Sequence, residues 1–344
     1  MNSRSQSRLI ACCAVAILGV FLLSRGLVGA QSQEVIDAAK KEGKVSIFGT
    51  LDKKTARKVQ DIFEKKYPEI KTSYWRGSGT AVLKKSMSEH RADKVTWDIL
   101  LASTDPMEIV RKDGMFTKYQ SPMGSYFDKQ YHHPYFSPSY RKVIVGWLYN
   151  TKAIKPEDAP KNYWDVLDPK WKGKITIGHP AGHTFTAQTL SSLHLVLGSK
   201  EKEDEYIEKL AAQKPGKLKS MGPASRAVAS GEFPIALTFI KYVDILGRDG
   251  APLDYVRLPG YLGDQHYLGI SKKVPHPNAA KLWIDYWYSK DVMEVIAQSG
   301  EFVNMPGIYP PLKGADKIKF VQAVSRNKKD YKKLKKKYGK IFGK

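Results

Sequence analysis

Hydrophobic and polar positions alternate between a helical period and a strand period along the chain from position 31 onward. A short helical pattern at 34–41 precedes an apolar run at 44–48 that ends at a glycine, as strands commonly do. Apolar residues then recur every three or four positions over 56–63, which predicts a helix. Strands are predicted at 70–75 and 97–101. This β-α-β-α-β order builds a parallel sheet with right-handed crossovers.

A second alternating block begins after a stretch rich in proline and aromatic residues at 119–140. It contains predicted strands at 143–149, 174–177 and 233–238, and a helix from about 184 to 197. Two α/β blocks in 344 residues indicate two domains of ordinary size. In open sheets of this kind, ligands bind beyond the carboxyl ends of the strands. The loops that follow the predicted strands are therefore the first places to look for a site.

The first 30 residues have the three-part pattern of a secretory signal. Two arginines precede an apolar run at 9–23, and small residues occupy positions −3 and −1 of a predicted cleavage after Ala30. An uncleaved N-terminal anchor is the alternative. Both cysteines of the chain, Cys12 and Cys13, lie inside this segment. The mature protein would therefore have neither disulfides nor thiolate metal sites nor a cysteine nucleophile.

Positive charge is concentrated at the C-terminus. The whole chain has a formal net charge of +23, and residues 326–344 contain ten Lys or Arg and a single acid, Asp330. Such charge favours an anionic ligand or a weak contact with an anionic membrane surface. Nucleic acid is not an expected partner of an exported protein. A solvated lysine-rich terminal helix is the simpler interpretation, and a surface adhesion protein acting through this tail is a further alternative.

Six segments spread over the chain carry recognisable motifs. They are the strand–helix opening at 45–67, Trp97-Asp98-Ile99-Leu100, the uncharged strand with a Tyr-Asn pair at 145–151, Asp165-Val166-Leu167-Asp168-Pro169-Lys170-Trp171-Lys172-Gly173-Lys174, Gly231-Glu232-Phe233-Pro234-Ile235-Ala236 and Pro275-His276-Pro277-Asn278-Ala279-Ala280-Lys281. On these motifs the sequence resembles the type II periplasmic solute-binding proteins, in the ferric-iron-binding branch of family 1. The resemblance covers nearly the whole chain after position 30.

The resemblance implies a periplasmic-binding-protein type II fold, in which each of two α/β lobes is a mostly parallel sheet flanked by helices. A small-molecule ligand would be trapped in the cleft between the lobes by hinge closure. The closed form would dock on an ABC-type membrane permease from the periplasm, and no cofactor is expected. The expected boundaries are a signal peptide at 1–30, lobe one at 31–145 plus 256–292, lobe two at 146–255 plus 293–325, and a basic tail at 326–344.

The same resemblance makes an enzyme unexpected. The sequence contains neither the G-x-S-x-G pattern of a hydrolase nucleophile nor the H-E-x-x-H pattern of a zinc protease. An exported hydrolase or lyase on the same scaffold is kept as a remote alternative, and turnover of a bound ligand would support it.

The loop after the strand at 174–177 is the clearest candidate for an anion site in lobe two. Backbone amides at a helix N-terminus bind anions, and the helix dipole adds to the attraction. The predicted contacts are Ala181, Gly182, His183 and Thr184. Ordinary capping of the helix by Thr184 is the alternative interpretation.

The ends of the three predicted strands in lobe one supply hydroxyl, carboxylate and guanidinium groups. The candidates are Thr50, Asp52, Arg76, Ser78, Ser103 and Thr104. Arg76 and Ser78 flank a glycine at a helix start, where a guanidinium and a hydroxyl can both reach an anion. A glycine turn with Arg76 on the surface is the equally simple alternative.

One position departs from the iron-binding pattern. After the strand at 233–238 the resembling iron binders place adjacent tyrosines, whose phenolates hold Fe³⁺, and this chain has Lys241 and Tyr242 there. A lysine ammonium beside a trivalent cation is repelled by it. We therefore expect a small organic or phosphorus-containing anion as the ligand and no bound metal. Ferric iron remains the alternative, with Tyr242 and Asp52 as its ligands.

Overall fold

The computed structural model describes residues 31–343, and the predicted signal at 1–30 lies outside them. The helices are α1 (Gln33–Glu42), α2 (Lys53–Lys66), α3 (Gly79–Arg91), α4 (Thr104–Lys112), α5 (Thr184–Leu190), α6 (His194–Leu197), α7 (Lys200–Ala212), α8 (Met221–Ser230), α9 (Tyr242–Gly247), α10 (Pro277–Trp287), α11 (Lys290–Gln298) and α12 (Lys328–Ile341). The predicted helix at 184–197 is divided into α5 and α6. None of these helices has the length and apolar content needed to cross a membrane.

The strands agree closely with the hydrophobic pattern. They are β1 (Lys44–Gly49), β2 (Lys71–Arg76), β3 (Ile99–Ser103), β4 (Phe116–Thr117), β5 (Arg141–Asn150), β6 (Ile175–Gly178), β7 (Gly216–Leu218), β8 (Ile235–Phe239), β9 (Leu253–Tyr255), β10 (Tyr261–Ser271), β11 (Phe302–Val303) and β12 (Phe320–Gln322). Short 3₁₀ helices lie between some of them, at Pro122–Tyr126, Lys129–Tyr131, Pro156–Asp158, Trp164–Leu167, Pro169–Trp171 and Ala315–Lys317.

Two sheets share one long strand. In lobe one the order is β2-β1-β3-β10-β5, and β1 runs parallel to both β2 and β3. In lobe two the order is β5-β8-β6-β7, and β6 runs parallel to both β7 and β8. Residues 141–144 of β5 pair with β10, whereas residues 145–149 pair with β8. The predicted fold of two mostly parallel sheets is confirmed, with antiparallel pairing at the strands β5 and β10 that connect them.

The lobe-one sheet is covered on both faces because neighbouring side chains of a strand point to opposite sides. Ile47 of β1 belongs to a core that includes Phe63 of α2 and Trp283 of α10. The next residue, Phe48, belongs to a second core with Val82 of α3 and further side chains of α4. These cores hold the carboxyl ends of β1, β2 and β3 in fixed positions, and the loops that follow them reach the cleft.

The domain boundaries differ from the expected ones in two places. The part of α11 from residue 293 onward was expected in lobe two, but Met293 and Ile296 lie in the lobe-one core because their apolar face packs beside α10. Residues 326–344 were expected to form a tail, but α12 is packed against lobe two. Its Tyr338 and the following Phe342 belong to the lobe-two core. The C-terminal segment is therefore part of the folded protein.

Candidate functional site

The floor of the cleft is formed where β5 and β10 pass between the lobes. His266 of β10 is paired on one side with Ser103, at the end of β3, and on the other with Arg141, at the start of β5. The amide of Ile240, which follows β8 of lobe two, donates to the carbonyl of Ile144 at 3.0 Å. The carboxyl ends of β3 and β8 therefore meet at the same part of the hinge.

A buried ion cluster joins the two lobes at this floor. The Lys241 Nζ donates to Glu301 Oε1 at 2.5 Å, and the Arg141 guanidinium forms an ion pair with Glu301 Oε2. Arg141 also donates from Nε to the Tyr140 hydroxyl at 2.8 Å, and its Nη2 lies 3.2 Å from His266 Nδ1. The exposed side-chain fraction is 1% for Glu301, 2% for Arg141 and 16% for Lys241. Only the lysine can meet a ligand without a rearrangement.

The cluster carries excess positive charge. Burial alone would raise the pKa of Glu301, but the adjacent Arg141 and Lys241 cations lower the pKa to about 2. Burial lowers the pKa of His266 well below its usual value, and the same two cations lower it further. At neutral pH the cluster therefore consists of two cations, one carboxylate and a neutral imidazole. An anion that entered here would balance the remaining charge.

Lys241 keeps donor capacity in this arrangement. Its ammonium has three N–H donors, and Glu301 accepts one of them. The Nζ also lies 5.9 Å from the ring centroid of Phe239 and 5.8 Å from that of Tyr242. Its ion-pair partner, Glu301, lies 60 residues away along the chain.

Three of the four predicted amides in the loop at 181–184 already donate to His179. The amide of Ala181 donates to His179 Nδ1 at 3.2 Å, and those of Gly182 and His183 donate to the His179 carbonyl at 3.0 and 2.8 Å. His183 is the N-cap of α5, and its Nδ1 accepts from the Thr186 amide at 3.3 Å. Burial lowers the pKa of His183 to about 4. His183, rather than Thr184, therefore caps this helix.

Two of the lobe-one candidates are helix caps. The Asp52 carboxylate accepts from the Thr55 amide at 2.9 Å, and the Ser78 hydroxyl accepts from the Ala81 amide at 3.3 Å. These bonds satisfy amides in the first turns of α2 and α3. Arg76, at the end of β2, is exposed and forms no ion pair with a carboxylate of the described chain. Asp52 and Ser78 therefore have a capping role that was not among the expectations for these residues.

Three other lobe-one candidates lie close to the hinge. The Thr50 Oγ1 is 3.3 Å from His266 Nδ1, so this hydroxyl touches the ion cluster. The Thr104 hydroxyl donates to Asp264 at 2.6 Å. Ser103 is the N-cap of α4, but its side chain makes no capping hydrogen bond. Its hydroxyl is thus available at the junction of β3 and the cleft.

Lobe two, like lobe one with Ser103, has a helix N-cap whose hydroxyl makes no capping hydrogen bond. This residue is Ser220, the N-cap of α8, which was not among the predicted site residues. Tyr242 lies beside the same turn, since a Cβ built on Gly222 would be 3.6 Å from the Tyr242 hydroxyl. Within residues 31–343 no group of three or more His, Cys, Asp or Glu side chains is placed to hold a metal ion.

Arg141, Glu301 and His266 were also missed by the sequence analysis. Glu301 is a lone acid between the amphipathic helix α11 and the short apolar strand β11, and Arg141 opens a strand whose central residues, 143–149, are uncharged. A charged residue between apolar segments is a signal of a buried, paired charge. It does not indicate which distant residue is the partner.

The two α/β lobes, the crossing strands and the ion cluster between the lobes define a two-lobed binding protein with its ligand site in a cleft. Residues 94–328 match the family model of the bacterial extracellular solute-binding proteins, and the chain belongs to this family. It is therefore an extracellular solute-binding protein, a non-enzymatic class. The resemblance on which the sequence analysis relied is confirmed.

Relatives of known structure share this architecture. The periplasmic binding protein AfuA of Actinobacillus pleuropneumoniae, with fructose 6-phosphate bound, has 22% identity, a TM-score of 0.74, and coverage of 87% of this chain and 98% of its own. Iron-bound HitA of Pseudomonas aeruginosa has 17% identity, a TM-score of 0.70, and coverage of 86% and 99%. A putative 2-aminoethylphosphonate-binding periplasmic protein of Salmonella typhi is 33% identical over 96 residues, which are 28% of each chain. The two structures establish the shared fold.

Proposed function

We propose that this protein captures a small organic or phosphorus-containing anion in the interlobe cleft and delivers it to an ABC-type permease. The observation that carries the proposal is that Arg141 and Lys241 share the single carboxylate of Glu301 at the cleft floor. A second anionic group would balance the remaining positive charge. Lys241 would donate to it directly, because its ammonium is partly exposed and has unused donors.

Hydroxyl groups around the cluster would complete the anion site. Thr50 lies against His266, and the uncommitted hydroxyls of Ser103 and Ser220 stand at helix N-termini in opposite lobes. Helix N-termini favour negative charge, so both helices would contribute to holding an anion in the closed cleft. Arg76 and Thr184, two further exposed candidates, would contact the ligand at the rim.

The names of two relatives support an anionic ligand. One is a putative 2-aminoethylphosphonate-binding protein, and the other has been solved with fructose 6-phosphate. Both molecules combine a phosphorus-containing anion with further polar groups. The cations at the cleft floor would bind the phosphorus-containing anion, and the hydroxyls of the two lobes would bind the other polar groups.

Ferric iron is the second candidate, because the fold is also that of iron-bound HitA. Tyr242 and Asp52 would be the ligands. The geometry is less favourable for iron, since the Lys241 ammonium lies over the Tyr242 ring and would be close to the metal. Two like charges at such distances repel each other strongly outside bulk water.

Export to the periplasm by a cleavable signal at 1–30 belongs to the same proposal. The family is extracytoplasmic, and the pattern at 1–30 is that of a signal peptide. Amino-terminal sequencing of the protein recovered from the periplasm should begin at Gln31. Recovery of the intact N-terminus in the membrane fraction would support the anchor instead.

The ligand proposal is tested by thermal unfolding in the presence of 2-aminoethylphosphonate, fructose 6-phosphate, inorganic phosphate, citrate and ferric citrate. A ligand that binds only the folded protein raises Tm in a concentration-dependent way. We expect one phosphorus-containing or carboxylate anion to do so. Lys241→Ala should then weaken binding by about 10- to 100-fold in calorimetry, because a charge-assisted hydrogen bond is lost.

Lys152→Ala is the matched control, since Lys152 is an exposed lobe-two lysine with no ion pair among the described residues. It should leave affinity unchanged. Coloured Fe³⁺ binding that is abolished by Tyr242→Phe and unaffected by Lys241→Ala would refute the anion proposal in favour of iron.

A further inference from the structure

Helix α12 has an apolar face and a basic face. Leu334, Tyr338 and Ile341 pack against or within the lobe-two core. The remaining positions are dominated by lysine, over a helix of 14 residues that is about 20 Å long. The eight lysines are Lys328, Lys329, Lys332, Lys333, Lys335, Lys336, Lys337 and Lys340.

Most of these lysines have no partner. Lys337 pairs with Asp204 at 2.7 Å, and the Lys328 ammonium lies near the Met87 sulfur. The other six are exposed and form no ion pair with any carboxylate of residues 31–343. The one acid of the helix, Asp330, is engaged in the capping box with Asn327. Six uncompensated positive charges therefore lie on one short surface.

This charged surface is rigidly held by both lobes. The Tyr331 hydroxyl donates to Asp105 of α4 at 2.6 Å, which connects the helix to lobe one. At the other end, the Lys217 ammonium donates to the Phe342 carbonyl at 2.6 Å, and Tyr338 is completely buried. Because the helix is anchored, the lysines form a fixed surface and do not belong to a loose tail.

We propose that the lysine face of α12 is a docking surface for an anionic phospholipid bilayer. Phospholipid headgroups present a flat layer of negative charge, and basic residues on a surface helix are attracted to it additively. The face suits a diffuse anionic surface better than nucleic acid. The six exposed basic residues are all lysines, which cannot make the bidentate contacts of an arginine. The tyrosines of the helix, which could otherwise stack on bases, point inward.

The contact would be peripheral. The apolar residues of α12 are occupied by lobe two, so none is left on the basic face to insert among acyl chains. Such a contact would be weak, reversible and sensitive to salt. It would keep the binding protein near the membrane that holds its permease. This consequence rests on the proposed function, whereas the lipid contact itself does not.

The test is sedimentation of the full-length protein with vesicles of phosphatidylglycerol and phosphatidylcholine, compared with vesicles of phosphatidylcholine alone. We expect binding only to the anionic vesicles, and loss of that binding in about 0.5 M salt, where charges are screened beyond a few ångströms. The triple variant Lys333→Gln, Lys336→Gln and Lys340→Gln removes one row of positive charges along the helix. It should lower partitioning roughly 100-fold, about fivefold for each lysine.

A triple variant of Lys53, Lys54 and Lys65 to Gln is the matched control. These exposed lysines lie on α2 in lobe one, and their removal lowers the net charge by the same amount. Equal losses in the two variants would overturn the proposal, because total charge and not α12 would then be responsible. Absence of binding to anionic vesicles, with binding to an acidic polypeptide instead, would also overturn it. The Tm of each variant verifies that it is folded.

Discussion

Glu301 and Asp264 are both buried at the hinge, yet the pKa values of their carboxyl groups are shifted in opposite directions. Glu301 has two cations beside it, and its pKa is lowered to about 2. Asp264 accepts hydrogen bonds only from neutral groups of the described chain, including the Thr104 hydroxyl at 2.6 Å and the Gln322 amide at 2.8 Å. Its burial, reinforced by nearby Asp105, raises its pKa to about 7. The neighbouring charges, more than burial itself, determine which form of a buried acid is stable.

The two carboxylates also lie in different connections between the lobes. Glu301 joins lobe one to Lys241 of lobe two across the cleft floor. Asp264 and Asp105 contact the C-terminal segment, which supplies Gln322 to the first and Ser325 and Tyr331 to the second. One connection is ionic and faces the proposed ligand. The other is built from neutral hydrogen-bond donors and lies beside α12.

The largest expected effect comes from removing the charge of Glu301. Glu301→Gln leaves the buried Arg141 and the partly exposed Lys241 without a counterion, so the free energy of unfolding should fall by about 3–5 kcal/mol at pH 7 in urea denaturation. Glu208→Gln, at an exposed acid of α7, should change it by less than about 0.5 kcal/mol. A loss below about 1 kcal/mol for Glu301→Gln would mean that solvent compensates the two cations.

The pH dependence of this effect has a defined sign. The pKa of Glu301 is lower in the folded protein than the usual value of 4.5. Its contribution to stability is therefore fully present above about pH 4.5 and is lost as the pH falls through about 2. The difference between the wild type and Glu301→Gln should shrink over this window. A difference that stays constant down to pH 2 would contradict the ion pairs.

Asp264→Asn should have a smaller effect in the opposite direction. The pKa of Asp264 is raised to about 7, so its ionisation destabilises the folded protein as the pH increases from about 4 to 7. The amide removes this ionisation and can keep the bonds from Thr104 and Gln322. We expect a gain of about 2 kcal/mol at pH 8 that disappears near pH 4.

Asp249→Asn, at an exposed acid after α9, is the control and should have no effect at either pH. A loss of stability for Asp264→Asn at pH 8 would show that a cation compensates the carboxylate in solution. That outcome would remove the contrast between the two buried acids.

The smallest expected change in stability comes from Lys241→Met. Arg141 still pairs with Glu301 in this variant, and Lys241 is partly exposed, so the loss should be only about 1 kcal/mol. Urea denaturation measures it. A loss as large as that of Glu301→Gln would show that Lys241 is needed mainly for folding, and the reduced ligand binding of its variants would then have a different meaning.

Much of the architecture was predictable because it depends on local patterns. Strand β1 was expected at 44–48 and spans Lys44–Gly49, and β6 was expected at 174–177 and spans Ile175–Gly178. An apolar strand of four to six residues bounded by turn residues is recognisable without knowledge of its neighbours. The prediction of one helix at 184–197 was less accurate, because the residues between α5 and α6 form turns.

The candidate site was predictable only in part. The sequence identified Lys241 as the position that departs from the iron binders, and this lysine does lie at the cleft floor. Asp52, Ser78 and His183 each cap a helix, which the sequence did not predict for them, and their contact with a ligand stays a prediction. A polar residue before a helix can cap it or meet a ligand, and the local sequence is the same in both cases.

The sequence by itself determined the alternation of strands and helices, the family and the excess of lysine at the C-terminus. These follow from periodicity, short motifs and composition. Only the tertiary structure decided that Arg141, Lys241 and Glu301 form one cluster, and that α12 is anchored to both lobes. The reason is distance along the chain: a buried charge needs a partner, but the pattern around each residue does not specify which remote residue the fold will bring to it.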